Sequence, residues 1–176
     1  MSSSTAVENE NQHSTRLTKD FERLRQSPLF TGLHLDVMKL IAYLSRHRTF
    51  QPGDLLIEYG AKADKAFILS EGSVEVMVTH KGQQVVLQQL ENEGIFGELA
   101  LLAQFNWFFS LKALSIVDAL VIDRNAFQKV LEKFPAHKDE LIERVIHLCV
   151  GRLVDQTSFM LDHTVLPGTT PSTTLS

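Results

Sequence analysis

Hydrophobic and polar positions along this chain change period twice, from helical to alternating and back to helical. Near the start, Leu17, Phe21 and Leu24 are spaced four and three residues apart, which predicts one face of a helix that ends at Pro28. A second set with helical spacing predicts another helix, capped weakly by His34, and its apolar face consists of Leu33, Val37, Leu40, Ile41 and Leu44.

Between residues 46 and 123 the apolar residues alternate with polar ones, as they do in half-buried strands. Val74, Val76 and Val78 give the clearest alternation, and the turn at Lys81-Gly82 predicts a hairpin with the strand that follows. Further strands are predicted over 55–59, 66–70, 85–90, 110–114 and 117–123. About eight short strands, roughly ten residues apart, favour a sandwich or a closed jelly-roll barrel.

Helical spacing returns after Asp123, which is predicted to cap a helix over 124–134. Pro135 separates this helix from a long one over about 136–160, whose apolar stripe contains Leu141, Ile142, Val145, Leu148, Cys149 and Leu153. The fold is therefore predicted to be mainly β with flanking helices. We expect one domain over 15–160 between two polar, disordered tails, 1–14 and 161–176.

The composition narrows the class of protein without identifying it. Of 176 residues, 44% are hydrophobic and 22% are charged, and the net charge of −4 argues against a nucleic-acid surface. The single cysteine fits a reducing compartment, no secretory signal is visible, and no apolar run approaches the roughly 20 residues of a membrane span. We expect a cytoplasmic protein with no transmembrane segment. The seven histidines are scattered, so no metal site is expected, and no catalytic constellation supports an enzyme.

The stretch 96–112 carries the most informative chemistry. Gly97 precedes a short predicted helical turn over 99–103. A glycine that allows close approach of the backbone, followed by the free amides of a helix start, is suited to holding a phosphate. Four aromatic residues then occupy five positions, and such a bulky run does not suit a phosphate site; they are Phe105, Trp107, Phe108 and Phe109.

The ordered set of turns and glycines, followed by Phe-Gly-Glu-Leu-Ala-Leu-Leu over 96–102 and two helices, resembles a cyclic nucleotide-binding domain. The likeness covers roughly residues 28–150. It implies an eight-stranded jelly-roll β-barrel with N-terminal helices and two C-terminal helices. In this family the stretch that begins with Gly-Glu-Leu, called here the cassette, holds the cyclic phosphate, and the C-terminal helices cover the base.

The resemblance assigns a ligand role to the start of the cassette, which comprises Phe96, Gly97, Glu98, Leu99 and Ala100. Gly97, Leu99 and Ala100 would supply backbone amides, and Glu98 would accept a hydrogen bond from the ribose hydroxyl. The arginine that pairs with the phosphate in the family corresponds here to Trp107.

Phe108 and Phe109 follow Trp107 where the family has small residues, and no Arg or Lys occurs from 96 to 111. Each hydrogen bond to a charged group contributes about 1.5–3 kcal/mol, and a bidentate arginine makes two of them. The sequence therefore predicts a degenerate cassette, in which binding of cyclic nucleotide is weakened by several orders of magnitude.

Two features remain open at this point. Glu98 is either a buried structural acid satisfied by backbone amides or a ribose contact. The aromatic run over 105–109 either folds inward and fills the vacant pocket, lies outside as a docking patch for a partner or a membrane surface, or lines a pocket for an apolar or planar ligand.

Two functions are compatible with these observations. The first is a non-enzymatic regulatory or scaffolding module without cofactor, which acts through protein–protein contacts. The second is a sensor that still binds cAMP, cGMP or another small ligand in the barrel. For partner contacts the candidates are Phe105, Trp107, Leu141, Val145 and Leu148. A homodimer through the C-terminal helix is a further expectation, whereas DNA is not expected as a partner because no helix-turn-helix follows Met160.

Overall fold

The computed structural model describes residues 18–91 and 94–164. Within these two ranges, four α-helices flank the β region, and they are α1 over 18–26, α2 (Leu35–Leu44), α3 (Arg124–Lys133) and α4 (Lys138–Thr164). Two 3₁₀ turns cover Glu98–Leu101 and Pro135–His137. The tail predicted over 1–14 lies outside the described residues, as does most of the tail predicted over 161–176. Helix α4 continues to Thr164, four residues beyond the predicted end.

The β region consists of two four-stranded antiparallel sheets and one small two-stranded sheet. Its strands are β1 (Arg46–Phe50), β2 (Leu55–Ile57), β3 (Lys62–Ala63), β4 (Lys65–Glu71), β5 (Ser73–His80), β6 (Gln83–Glu91), β7 (Gly94–Phe96), β8 (Phe105–Asn106), β9 (Ser110–Ala113) and β10 (Val117–Asp123). The strand orders are β1-β10-β4-β7, β2-β9-β5-β6 and β3-β8. This arrangement is consistent with the predicted jelly roll. The short strands β3, β7 and β8 were not predicted, because two or three residues carry too little alternation to be recognised.

Two hydrophobic clusters lie on opposite faces of the first sheet. On β4, Ala66 and Ile68 belong to the cluster that packs against the helices, whereas Phe67 and Leu69 belong to the cluster between the two sheets. Both faces of β4 are therefore buried, which explains why its sequence is a continuous apolar run and does not alternate. The cluster against the helices contains the most deeply buried large side chains of α1, α2, α3 and α4, among them Leu24, Ile41, Phe127 and Leu141.

The predicted hairpin forms from β5 and β6. Val74 and Val76 face the cluster between the sheets, as the alternation predicted. Val78 is only half-buried, because it pairs with Val85 near the outer end of the hairpin, where β6 is exposed. The turn uses positive φ angles of 50° at Lys81 and 78° at Gly82, which suit a tight two-residue connection.

One predicted cap differs in detail. Asp123 stands at the N-cap position of α3, but its side chain makes no capping hydrogen bond. Its carboxylate instead forms an ion pair with Arg46 at 3.1 Å, and the amide of Arg124 donates to the carbonyl of Asp64 at 2.8 Å. A charged partner within reach on the neighbouring strand β1 competes successfully with the backbone amides.

Candidate functional site

The cassette begins where β7 ends. Gly97 has a left-handed backbone with φ of 80°, and the 3₁₀ turn Glu98–Leu101 follows it directly. A β-carbon placed on Gly97 would lie 2.7 Å from the carbonyl oxygen of Lys65 and 2.7 Å from Cη2 of Trp107. Glycine is therefore required here for two independent reasons, the backbone conformation and the lack of space.

The resemblance assigned the backbone amides of Leu99 and Ala100 to a phosphate, but the two residues differ in burial. The amide of Ala100 donates to the carbonyl of Gly97 at 2.9 Å, and Ala100 is fully buried. Leu99, in contrast, has 41% of its surface exposed. The Ala100 amide is thus used to close the turn itself.

Glu98 is almost completely buried and is paired with α4. Its carboxylate lies 3.0 Å from a guanidinium nitrogen of Arg152, and the thiol of Cys149 approaches the same carboxylate at 3.7 Å. Glu98 is buried, as one of the two alternatives predicted, but its charged partner is a guanidinium from the C-terminal helix, where backbone amides were expected.

Arg152 fastens α4 to the cassette through three different contacts. Besides the ion pair with Glu98, the guanidinium donates to the carbonyl of Ile95 at 2.7 Å. It also lies over the ring of Phe96, 5.5 Å from the ring centroid. Arg152 thus connects the last strand before the cassette, the cassette acid and the C-terminal helix.

The thiol of Cys149 lies in the same group. Burial raises the pKa of Cys149, and the negative charge of Glu98 raises it further, while Arg152 acts in the opposite direction. The thiol is therefore protonated at neutral pH and can act as a weak donor toward the carboxylate.

The aromatic run divides into buried and exposed members. Trp107 is only 5% exposed and belongs to the cluster between the sheets, whereas Phe108 is 65% exposed. Phe105 and Phe109 are partly buried, and their rings meet the ring of Trp107 edge-on at centroid distances of 5.3 and 5.6 Å. Thus one side chain of the run points inward, two flank it, and one points to solvent.

The backbone around Trp107 fixes the orientation of its ring. The amide of Trp107 donates to the carbonyl of Ala61 at 2.8 Å, and its carbonyl accepts from the amide of Gly60 at 2.7 Å. These bonds extend the small sheet of β3 and β8 by one residue. With the backbone held in this way, the indole packs against Gly97 at the start of the cassette.

The sequence analysis did not identify Arg124, whose side chain hydrogen-bonds to the backbone of the cassette and its neighbours. Its buried guanidinium donates to three backbone carbonyls, those of Ala100 at 2.6 Å and of Ala63 and Ala103 at 2.5 Å. Its position at the start of α3 could have identified it. A positive charge in the first turn of a helix interacts unfavourably with the helix dipole, so an arginine there indicates another interaction. Arg152 was missed as well, although it follows Leu148 and Cys149 at helical spacing on the buried side of α4.

The residues predicted for partner contacts on α4 are not available for them. Leu141 and Val145 are fully buried in the cluster against the helices, and Leu148 packs against that cluster. The prediction is wrong in its choice of helix face, because the core occupies the face it assigned to a partner. The exposed apolar stripe of α4 is formed by Ile146, Val150, Leu153 and Val154.

Within residues 18–91 and 94–164, no three histidine, cysteine or acidic side chains come together as metal ligands. In the same part of the chain, no helix combines the length and the apolar character that crossing a membrane requires.

In this chain a turn that contains Gly97 and Glu98 lies between the jelly-roll sheets and the C-terminal helices. Proteins that carry a cyclic nucleotide-binding domain have the same architecture. The sequence profile of the family described as "Cyclic nucleotide-binding domain" matches residues 47–134, half of the chain. This chain belongs to the cyclic nucleotide-binding domain family.

Known proteins show the same likeness in sequence and in structure. Potassium channel KOR1 of Oryza sativa subsp. japonica is 29% identical over 108 residues, which are 61% of this chain and 13% of the channel. The chain therefore spans a small part of that relative. A putative cyclic nucleotide-binding protein from Geobacter metallireducens superposes with a TM-score of 0.63 at 26% identity, covering 75% of this chain and 96% of that one.

A third similar protein is the regulatory subunit of a cAMP-independent protein kinase A from Trypanosoma brucei. It superposes with a TM-score of 0.64 at 22% identity, covering 87% of this chain and 52% of that one. At this identity the likeness concerns the fold alone.

Proposed function

We propose that this chain is a non-enzymatic regulatory or scaffolding domain that does not bind cyclic nucleotide tightly and acts through contacts with other proteins. The observation that carries the proposal is Trp107, whose buried ring packs against Gly97 where the family's phosphate-binding arginine would stand. The proposal includes no cofactor and a cytoplasmic location.

A nucleotide entering this site would meet three costs. The indole of Trp107 would have to leave the cluster between the sheets, and loss of a buried tryptophan costs about 3–5 kcal/mol. Since 1.4 kcal/mol corresponds to a factor of ten in affinity, this alone weakens binding by roughly two to three and a half orders of magnitude. In addition, the phosphate would lack its paired cation, and a ribose hydroxyl would compete with Arg152 for Glu98.

The description of the similar protein from Trypanosoma brucei is compatible with the proposed lack of tight cyclic nucleotide binding. That protein is the regulatory subunit of a protein kinase A that is described as cAMP-independent, and its fold matches this chain with a TM-score of 0.64 at 22% identity. A similar fold thus occurs in the regulatory subunit of a kinase that is described as cAMP-independent.

Equilibrium dialysis with labelled cAMP and cGMP tests the proposal. We expect no saturable binding up to about 100 μM of either ligand, in line with the loss of roughly two to three and a half orders of magnitude. A triple variant, Trp107→Arg, Phe108→Ala and Phe109→Ala, restores the cation and the small residues, and we expect it to bind more tightly than the wild type. Saturable micromolar binding by the wild-type chain would favour the sensor, for which the retained Gly97 and Glu98 are the supporting residues.

For the protein contact we propose the exposed apolar stripe of α4. Ile146, Val150, Leu153 and Val154 follow each other at helical spacing and are 49–63% exposed. Such a stripe fits the apolar face of a helix from a partner protein. The homodimer through this helix, expected from the resemblance, is the second way to cover it. Leu153→Glu abolishes either contact, and the mass of the wild-type chain in solution distinguishes the two.

A further inference from the structure

The outer face of α4 has an acidic end and an apolar middle. Five exposed residues follow one another on it at intervals of four, three, four and three positions, and they are Asp139, Glu143, Ile146, Val150 and Leu153. Side chains at these intervals lie along one line of a helix surface. The exposed apolar stripe of α4 is therefore continued toward the start of the helix by two carboxylates.

In the described part of the chain, Asp139 and Glu143 take part in no ion pair. The third acid of this region, Glu140, is already paired, because its carboxylate lies 2.7 Å from the guanidinium of Arg144 and 3.3 Å from the ring of His137. The hydrogen bonds with His137 and Arg144 lower the pKa of Glu140. The carboxylates of Asp139 and Glu143 thus remain available to a cation from outside the chain.

The charge around the stripe is mainly negative. Over 138–158 the exposed charged residues of α4 are one lysine and four acids, and they are Lys138, Asp139, Glu140, Glu143 and Asp155. The helix dipole accounts for the acids of the first turn, Asp139 and Glu140, because the start of a helix carries a partial positive charge. Glu143 lies one turn further along, directly before Ile146 on the line, and it is the first charge that a partner at the stripe meets there.

A second copy of this chain does not provide the opposite charge. If two α4 helices pair antiparallel, the acidic start of each faces the second half of the other, and residues 153–176 contain two aspartates but no lysine or arginine. If the helices pair in parallel register, Glu143 of one copy lies beside Glu143 of the other. Like charges placed opposite one another disfavour a pair of helices. The charges of α4 therefore favour a different protein as the partner.

We propose that α4 binds an amphipathic helix of another protein, whose apolar face covers the stripe and whose lysine or arginine residues at one end lie against Asp139 and Glu143. Burial of the aliphatic side chains provides the attraction, and the two carboxylates select the partner and fix its register. The inference rests on the proposed function, which places a protein contact at this stripe, and adds the charge of the partner.

Two synthetic helical peptides with the same apolar face serve as probes. One carries lysines and the other glutamates in its last two turns, and each is labelled and titrated with the full chain at low ionic strength. We expect the lysine peptide to bind with a Kd at least about fivefold lower, because attractive pairs replace repulsive ones. Leu153→Glu, in the middle of the stripe, is expected to abolish the binding of both peptides.

Glu143→Lys tests the role of the charge beside the stripe. We expect this variant to lose the preference for the lysine peptide. Glu91→Lys, at an exposed position on β6, changes the net charge by the same amount and is the matched control, in which the preference remains. The control is needed because the chain carries a net charge of −4, which attracts any basic peptide. Melting curves verify that each variant folds.

Equal affinities of the two peptides for the wild-type chain would overturn the proposal. So would a preference that survives Glu143→Lys, a preference that Glu91→Lys removes, or the absence of binding by either peptide. A dimer of the chain alone that Leu153→Glu dissociates would identify a second copy as the occupant instead.

The Leu153→Glu variant separates failure of the charge from failure of the surface. Equal affinities that this variant still abolishes contradict only the charge of the partner and leave the contact at the stripe in place. Binding that survives Leu153→Glu contradicts the contact at the stripe, and with it the surface on which the proposed function depends.

Discussion

At the scale of single residues, the molecule depends on the fit between one large ring and one missing side chain. The Trp107 ring packs so closely against Gly97 that a β-carbon there would lie 2.7 Å from Cη2. Phe105 and Phe109 enclose the indole from its edges. The resemblance places an anion-binding residue of the family at position 107, which is here part of the hydrophobic core. We therefore expect each aromatic residue of the run to stabilise the fold in proportion to its burial.

Trp107→Ala is expected to lower the free energy of unfolding by about 3–5 kcal/mol, because it leaves a cavity between the sheets. Phe108→Ala, one residue away but 65% exposed, is expected to change it by less than about 0.5 kcal/mol. Urea denaturation of both variants measures the difference. Equal effects of the two substitutions would contradict the observed division of the aromatic run.

Gly97→Ala is expected to destabilise the chain by more than Gly53→Ala. Both glycines have positive φ, 80° and 95°, so both substitutions impose backbone strain of about 1 kcal/mol or more. A β-carbon on Gly53 would enter open space, whereas a methyl on Gly97 collides with Lys65 and Trp107. The difference between the unfolding free energies lost by Gly97→Ala and by Gly53→Ala measures the effect of the close approach. Equal losses would show that the Trp107 ring and the turn can move apart to make room for the methyl group.

Sequence reasoning at this scale identified the cassette residues but not their partners. The resemblance to the family identified Gly97, Glu98 and Trp107, because its motif is local and can be matched residue by residue in the sequence. The partner of Glu98, Arg152, lies 54 residues further along the chain. No local pattern encodes such a contact, which depends on how α4 lies across the barrel.

At the scale of elements, two arginines connect the β region and the cassette to the C-terminal helices. Arg152 joins α4 to the cassette acid and to the strand β7. Arg124, at the start of α3, holds three carbonyls around the cassette and β3. The cassette is therefore fixed from both sides by side chains of the C-terminal helices.

Arg152→Gln is expected to destabilise the chain more than Glu98→Gln. Loss of the arginine leaves Glu98, which is 2% exposed, as a buried charge without its cation and costs about 2 kcal/mol or more. Loss of the acid leaves Arg152 with solvent access and its bond to Ile95, so we expect less than about 1 kcal/mol.

Thermal and urea unfolding of the two single variants and the double variant measure this asymmetry. In the double variant the penalty of the unpaired acid disappears, so its stability should exceed that of Arg152→Gln. A double variant whose losses simply add would show that the ion pair does not couple α4 to the cassette.

The helices and strands were predicted correctly from the sequence where a segment was long enough to show several repeats of one hydrophobic period. The helices and the strands β4, β5, β6 and β10 appeared close to their predicted positions, because each carries several residues of one period. The exposed face of α4 was assigned wrongly for a physical reason. The helix has apolar residues on two sides, and only its packing against α3 and the cassette decides which side is inward.

At the scale of the whole molecule, the jelly roll keeps the architecture of a ligand-binding domain around an interior that is filled by its own side chains. The apolar side chains that the chain exposes include those of the α4 stripe and of the edge strand β6. The proposed contact with another protein rests on the α4 stripe.

The emission of Trp107 tests the central claim most directly, because this is the one tryptophan of the chain and it stands where the resemblance to the family places the phosphate-binding arginine. We expect blue-shifted emission that is protected from acrylamide and unchanged by cAMP or cGMP up to millimolar concentration. A melting curve at each end of the titration should likewise remain unchanged. A saturable change of emission at micromolar nucleotide, with a raised melting temperature, would contradict the account and show that the ring yields to a ligand.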